Sequence, residues 1–229
     1  MNGETVFLTG GTGFIGSHLA EALIEKGHTV RCLIRTRPKW LEGLEIEPVA
    51  GSLHDRAAIE EGCRDADRVY HLAGVTRAPD MATFRRHNVR ATQNLLDVLA
   101  DRQSPPERIV LASSLAAVGR GADRIATEND PLRPVSRYGR SKAQMERMAW
   151  TYTNLPITVV RPPAVYGPRD RDVLEYLRWM DRGFFPVVGP TREPRLSLVH
   201  ARDLVDGFLR AGTRTVAEGE TYFLGGNRP

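Results

Sequence analysis

Lysine is almost missing from this 229-residue chain: of its 32 basic residues only Lys26, Lys39 and Lys142 are lysines, and the rest are arginines. A lysine at a chemically telling position therefore stands out. Cysteine is scarce too. Cys32 and Cys63 offer neither a disulfide framework nor a metal-ligand spacing, so both read as reduced, structural thiols. The six histidines are equally unspaced, and no metal is expected. No apolar run approaches the roughly 20 residues of a membrane span. Strand-like sequence begins within a few residues of Met1, which leaves no room for a signal peptide and makes the cytoplasm the expected location. Net charge is +4 and the pI about 9.3, yet the basic residues form no stripe interleaved with aromatics, so nucleic acid is not an expected partner.

What remains is 41% apolar and 26% charged, the balance of a soluble globular protein, with length for one large domain or a domain and a half. The chain is organised around Val6-Phe7-Leu8-Thr9-Gly10-Gly11-Thr12-Gly13-Phe14-Ile15-Gly16. Residues 6–8 read as a short buried strand and the glycines as a turn. Residues 17–26 read as a helix with Leu19, Ala22 and Leu23 on its apolar face. In that strand–turn–helix context Gly11, Gly13 and Gly16 (G-x-G-x-x-G) predict a dinucleotide site. Glycine lets the backbone approach a pyrophosphate, whose charge sits on the free N–H groups of the helix N-terminus.

Strand-like runs at 29–34, 47–50, 69–74, 109–113 and 157–160 alternate with helical runs at 55–63, 82–100 and 138–152. That order predicts an α/β fold, a doubly wound parallel sheet (Rossmann fold) with its ligand crevice at the carboxyl ends of the strands. Residues 1–167 read as the dinucleotide-binding domain. Residues 168–229 read as a partial substrate-binding region: a helix at 172–181, a turn-rich stretch at 184–189, a strand at 196–200, a helix at 201–211, and a strand at 221–224 that returns to the sheet.

Two features carry chemistry. From residue 29 to 41 there is no acid, and Arg35 is the first residue past the second strand, where an acid would bind an adenosine 2′-hydroxyl and repel a 2′-phosphate. A planar guanidinium there can clamp a phosphate bidentately, so NADP is favoured and NAD remains open. Second, Tyr138-Gly139-Arg140-Ser141-Lys142 sets a phenol and an ammonium four residues apart on one helix face. A phenol with an ordinary pKa of about 10 acts as a base near neutrality only if a cation stabilises its phenolate.

Thr9-Gly10-x-x-Gly13-x-x-Gly16, the Tyr138–Lys142 pair and Arg161-Pro162-Pro163-Ala164-Val165-Tyr166-Gly167-Pro168 together resemble the extended, epimerase-like branch of the short-chain dehydrogenase/reductase superfamily, the NAD-dependent epimerase/dehydratase family. The resemblance implies a cofactor lying along Gly10, Gly13, Phe14, Ile15 and Gly16, with Arg35, Ser52 and Leu53 around the adenosine. Leu72, Ala73 and Gly74 would pass beneath the ribose and pyrophosphate, and Pro162, Ala164 and Val165 would flank the nicotinamide with Tyr138 and Lys142. Ser114, five residues before Gly119, matches the catalytic hydroxyl beside Tyr138 and Lys142. No G-x-S-x-G elbow surrounds it, which excludes a serine hydrolase. Ser113 is expected to bond backbone at the strand end, and Asn88 to bridge backbone or join the chemistry.

Two departures narrow the expected reaction. Leu115 and Ala116 stand where sugar-nucleotide dehydratases carry an acid pair, and Ala164 where sugar-nucleotide enzymes commonly carry asparagine. The wording is nearer to dihydroflavonol reductases and 3-beta-hydroxysteroid dehydrogenases. The expectation is therefore hydride transfer between a nicotinamide and a small-molecule ketone or secondary alcohol, with Arg195 and His200 as candidate substrate contacts. A nucleotide-sugar epimerase that retains NAD and a non-catalytic NADP-binding module remain as alternatives. The resemblance also implies a homodimer through the 82–100 and 138–152 helices, and relatives that continue past this chain's last residue to finish a substrate lobe.

Overall fold

Apolar residues alternate along the first strand, β1 (Thr5–Thr9): Val6 and Leu8 face one layer and Phe7 the other. Such period-2 patterning with apolar residues on both faces makes a sheet buried between two helical layers. The computed structural model describes residues 3–119, 126–170, 172–184 and 197–225, and has that architecture. α1 (Phe14–Glu25) follows the glycine turn, then β2 (Thr29–Ile34), β3 (Ile46–Ala50), α2 (Arg56–Cys63) and β4 (Arg68–His71). α3 (Met81–Phe84), a π-helical turn (Arg85–Arg90) and α4 (Ala91–Ala100) make one continuous helical run into β5 (Arg108–Ala112). α5 (Arg137–Ala149), β6 (Ile157–Arg161), β7 (Ala164–Tyr166), α6 (Asp172–Asp181), β8 (Leu198–His200), α7 (Ala201–Thr213) and β9 (Thr221–Phe223) complete the described elements.

The seven-stranded sheet is parallel throughout, in the order β3-β2-β1-β4-β5-β6-β9, so the connection reverses direction between β1 and β4. On one face α1 and α7 pack Leu19, Leu23, Leu204 and Phe208 against Val6, Leu8, Val110 and Val160. On the other, α2 and α4 pack Ile59, Leu95, Leu96 and Leu99 against Phe7, Val69, Ile109 and Val159. Cys32 and Cys63 are buried free thiols whose pKa burial pushes up to about 12, which leaves them unreactive.

β7 and β8 pair with each other as a separate two-stranded parallel sheet; the β7 pairing has no counterpart in the periodicity, since three residues are too few to show one. The π-helical turn is the other departure from the sequence reading of a single helix. Of the turn-rich stretch at 184–189, only Phe184 falls among the described residues, and Arg195 lies outside them.

Candidate active site

The loop residues singled out as cofactor contacts, together with Ser114, sit at one edge of the sheet, because each follows the carboxyl end of a parallel strand. The glycine turn follows β1, Arg35 follows β2, Ser52 and Leu53 follow β3, and Leu72 to Gly74 follow β4. Ser114 follows β5, and Pro162, Ala164 and Val165 follow or begin just past β6. The reversal of strand order between β1 and β4 opens the crevice there. Gly10 has φ +79° and packs so closely on β4's exit that a Cβ would lie 2.5 Å from the Ala73 nitrogen. Any side chain would push the two loops apart. α1 starts at Gly13 with no side-chain cap and no acid in its first turn, so its leading N–H groups have no protein acceptor on a side chain. That is an anion cradle of pyrophosphate type, and these residues fit a dinucleotide.

Around the adenosine end, Arg35 is exposed and engages no partner among the described residues. The Ser52 hydroxyl accepts from His54 N (3.2 Å), and the Leu53 carbonyl accepts from Asn94 Nδ2 (2.7 Å). Both bonds hold the loop.

The chemistry-bearing hydroxyls meet because α5 docks tightly. Ser136 caps α5 by accepting from Gly139 N (2.9 Å), and Gly139 lies so near the turn after β5 that a Cβ would sit 2.2 Å from the Ala116 carbonyl oxygen. This approach brings the Tyr138 phenol beside the Ser114 hydroxyl, which also accepts from Ala116 N at 3.2 Å. Burial raises the Tyr138 pKa above its ordinary value, and the Ser114 hydroxyl works in the opposite direction. Phe84 flanks the ring at 6.3 Å between centroids.

Lys142 is expected to act on the Tyr138 phenol and to hold the nicotinamide ribose; it lies on the same helix face and is buried. Its Nζ donates to the Ala112 carbonyl at 2.7 Å and lies close to Gly74, where a Cβ would come 3.4 Å from it. Burial brings its pKa down to about 8, with Glu146 opposing the shift.

Glu146, one turn beyond Lys142, was not picked out from the sequence. It is fully buried and paired with Arg161 of β6, with Nη2 to Oε2 at 2.7 Å and Nε to Oε1 at 3.0 Å. Ser113 donates to the same carboxylate, which corrects the expectation that it bonds backbone. The one available signal was the i,i+4 spacing of Lys142 and Glu146.

Asn88 occupies the π-helical turn, fully buried. Its Oδ1 accepts from Val75 N (2.7 Å), and its Nδ2 donates to the Val75 carbonyl (2.9 Å) and to Ser141 Oγ (2.9 Å). Ser141 in turn donates to the Tyr138 carbonyl (2.7 Å). Below it Thr92 Oγ1 donates to the Asn88 carbonyl (2.9 Å) and therefore accepts from His71 Nε2 (2.8 Å). His71 Nδ1 then accepts from Thr9 Oγ1 (2.7 Å). The chain of bonds requires a neutral imidazole, and burial, with Lys142 adding repulsion, brings its pKa down to about 3.

An unfolded chain takes up that proton near pH 6.5, whereas the folded one refuses it until about 3. The stability is whole above pH 6.5 and is lost as pH falls towards 3, by several kcal/mol at the extreme. Urea midpoints should therefore drop between pH 6.5 and 4, and His71→Asn should flatten that limb. An unchanged slope in the variant would remove His71 from the acid response.

At the rim, Arg169 (φ +72°) reaches back to α1, bonding Ser17 Oγ (2.9 Å) and Glu21 (2.5 Å) and lying 5.3 Å from the Trp40 ring centroid. This strap joins positions about 150 apart in sequence and has no local signature. His200 packs edge-on to Tyr166 at 5.2 Å, and its Nδ1 caps α7 by accepting from Arg202 N (3.3 Å). Among the described residues no helix is long and apolar enough to cross a membrane.

A doubly wound sheet with a glycine turn at its switch point and a Ser–Tyr–Lys group beside it defines a dinucleotide-dependent enzyme. The chain belongs to the NAD-dependent epimerase/dehydratase family, whose sequence pattern matches residues 6–225. It is 31% identical to a 4-hydroxy-2-methyl-3-oxo-4-farnesyl-3,4-dihydroquinoline-1-oxide ketoreductase of Stigmatella aurantiaca, over 97% of this chain and 68% of the relative. It is 30% identical to a putative dihydroflavonol 4-reductase of Synechocystis sp., over 97% and 68% respectively. Among solved structures, MoeE5 in complex with UDP-glucose and NAD superposes with a TM-score of 0.83 at 27% identity, covering 97% of this chain and 76% of that one.

Proposed function

We propose that the protein is a reductase that prefers NADP and acts on a ketone, with Ser114, Tyr138 and Lys142 as its catalytic residues. The observation that carries this reading is the meeting of the Ser114 and Tyr138 side chains at the carboxyl edge, beside a buried Lys142. Bound NADPH would supply hydride to the carbonyl carbon. Ser114 donates to the carbonyl oxygen and holds it beside the phenol, and Tyr138 passes its proton to that oxygen as the alcohol forms. Lys142, with a pKa of about 8, is charged at neutral pH and would hold the ribose hydroxyls next to Gly74. The ketoreductase likeness supports the same substrate class.

Cofactor titration with NADPH and NADH, followed by turnover of a carbonyl panel, tests the reading. Arg35→Ala should weaken NADPH at least about tenfold, the loss of charge-assisted hydrogen bonds, and leave NADH within about twofold. A wild type that binds NADH the more tightly would overturn the NADP preference. A second reading, a sugar-nucleotide epimerase, is favoured by the likeness to a structure holding UDP-glucose and NAD. It requires NAD to stay bound through purification, which the same titration detects.

A further inference from the structure

At the edge of the sheet away from the glycine turn, where β1 and β4 begin and α1 and α7 end, lies a cleft of about 450 Å³. Two donors of β4 reach it, Arg68 and Tyr70, which share a face of the strand because they stand two residues apart. Tyr70 is 1% exposed, and its hydroxyl bonds nothing among the described residues. The hydroxyl ends against Gly212 in the last turn of α7, where a Cβ would lie 1.9 Å from it. Arg68 pairs with Glu4 through Nη1 and with Glu107 through Nη2 (2.8 Å), and its buried Nε has no acceptor. The two side chains feel each other: burial pushes the Tyr70 pKa up to about 12, and Arg68 works against that shift. Arg108 stands beside Arg68 in register on β5. Its Nη2 pairs with Glu218 (3.3 Å), and its buried Nε and Nη1 also lack partners. Buried donors in native structures nearly always have an acceptor. Two donors without one, on the same wall of a cleft, mark a place for an oxygen that the chain does not supply.

The rim adds charge. Lys26, just past α1, and Arg214, just past α7, are exposed and form no ion pair among the described residues. The two carboxylates that line the cleft are engaged, Glu4 by Arg68 and Asp206 by Arg210 (2.7 Å). Nearby Asp67 accepts from Thr5 N (2.8 Å). His28 Nδ1 accepts from Glu4 N (3.3 Å), and burial and Lys26 hold its pKa below the ordinary value, with Asp67 opposing, so the ring adds no charge at neutral pH. Val6, Leu23 and Leu209 supply the apolar part of the wall.

We propose that this cleft is a second ligand site, for a small organic carboxylate with an apolar body. The carboxylate oxygens would accept from the Tyr70 hydroxyl and from Arg68 Nε, and the body would lie on Val6, Leu23 and Leu209. Lys26 and Arg214 would draw the anion in from the rim. The volume is that of an ordinary small-molecule pocket. Inorganic phosphate fits less well because it leaves the apolar wall wet, and a neutral amide because it leaves the rim cations unmatched. The glycine turn and Ser114 lie past the carboxyl ends of the strands and this cleft at their amino ends, so the site is separate from the cofactor crevice.

The test is calorimetric titration of the whole chain with octanoate, with octanamide as the uncharged probe and inorganic phosphate as the wholly polar one. Octanoate should bind at one site with a Kd below about 1 mM, and the other two at least about tenfold more weakly. Excess NADPH or NADH should leave octanoate binding within about twofold. Tyr70→Phe removes only a hydroxyl that has no partner in the free protein. The variant should therefore unfold at the wild-type urea midpoint or above it, yet bind octanoate at least about tenfold more weakly. Lys26→Gln/Arg214→Gln, at exposed positions, should weaken octanoate several-fold. Octanoate affinity that Tyr70→Phe leaves unchanged would overturn the proposal, as would a lowered midpoint, which would make the hydroxyl structural. Absence of octanoate binding, equal or tighter binding of octanamide or phosphate, or displacement of octanoate by either nicotinamide cofactor would overturn it as well. If Tyr70→Phe fails to fold, the double variant carries the comparison, and unchanged affinity there would overturn the site.

Discussion

Tyr138→Phe is expected to lower kcat for carbonyl reduction by about 10²- to 10⁴-fold, the range of a positioned general acid, while NADPH affinity stays within about twofold. Phenylalanine keeps the ring against Phe84 and leaves α5's cap at Ser136 untouched, so the change removes the proton and little else. Single-turnover absorbance at the nicotinamide band reads the chemical step, and fluorescence titration reads binding. Near-normal turnover would take Tyr138 out of the mechanism and return the chain to a binding role. Loss of cofactor binding instead would point to a structural part for the phenol.

Arg161→Met is expected to cost about 3–5 kcal/mol of folding stability, because it leaves a buried carboxylate without its counter-charge. Glu146 has no exposed surface and would retain only the Ser113 hydroxyl and the more distant Lys142. Arg161 also donates to the Glu128 carbonyl (3.0 Å) and lies 5.7 Å from the Phe223 ring centroid, so β6 would also lose these side-chain contacts to Phe223 and to the 128 segment. Adding Glu146→Met should restore most of the loss, since an apolar pair of similar volume avoids desolvating two ions. Chemical denaturation of the two single variants and the double gives the coupling. A double variant no more stable than Arg161→Met would mean that packing, not the unpaired charge, carries the effect.

The extended helix at 82–100 shows how far local pattern reaches. Its apolar spacing marks it in the sequence, but the π-helical turn that swings Asn88 onto Val75 and Ser141 does not, because it depends on Thr92, His71 and Thr9 arriving from three elements. Ser113 and Ser114 make the same point. They are adjacent and chemically identical, yet one faces Glu146 and the other Tyr138, since successive residues leaving a strand point to opposite sides.

The order of strands and helices, the glycine turn, and the Tyr138–Lys142 spacing were determined by the sequence alone, because each is a local or periodic property of the chain. The class of reaction follows from those residues and their family. Only the tertiary structure decided that Lys142 donates to Ala112 and that Glu146 and Arg161 form a buried pair under the site. These partners stand 30 and 15 residues apart, and packing chooses among them by distance and burial, which no spacing in the chain records.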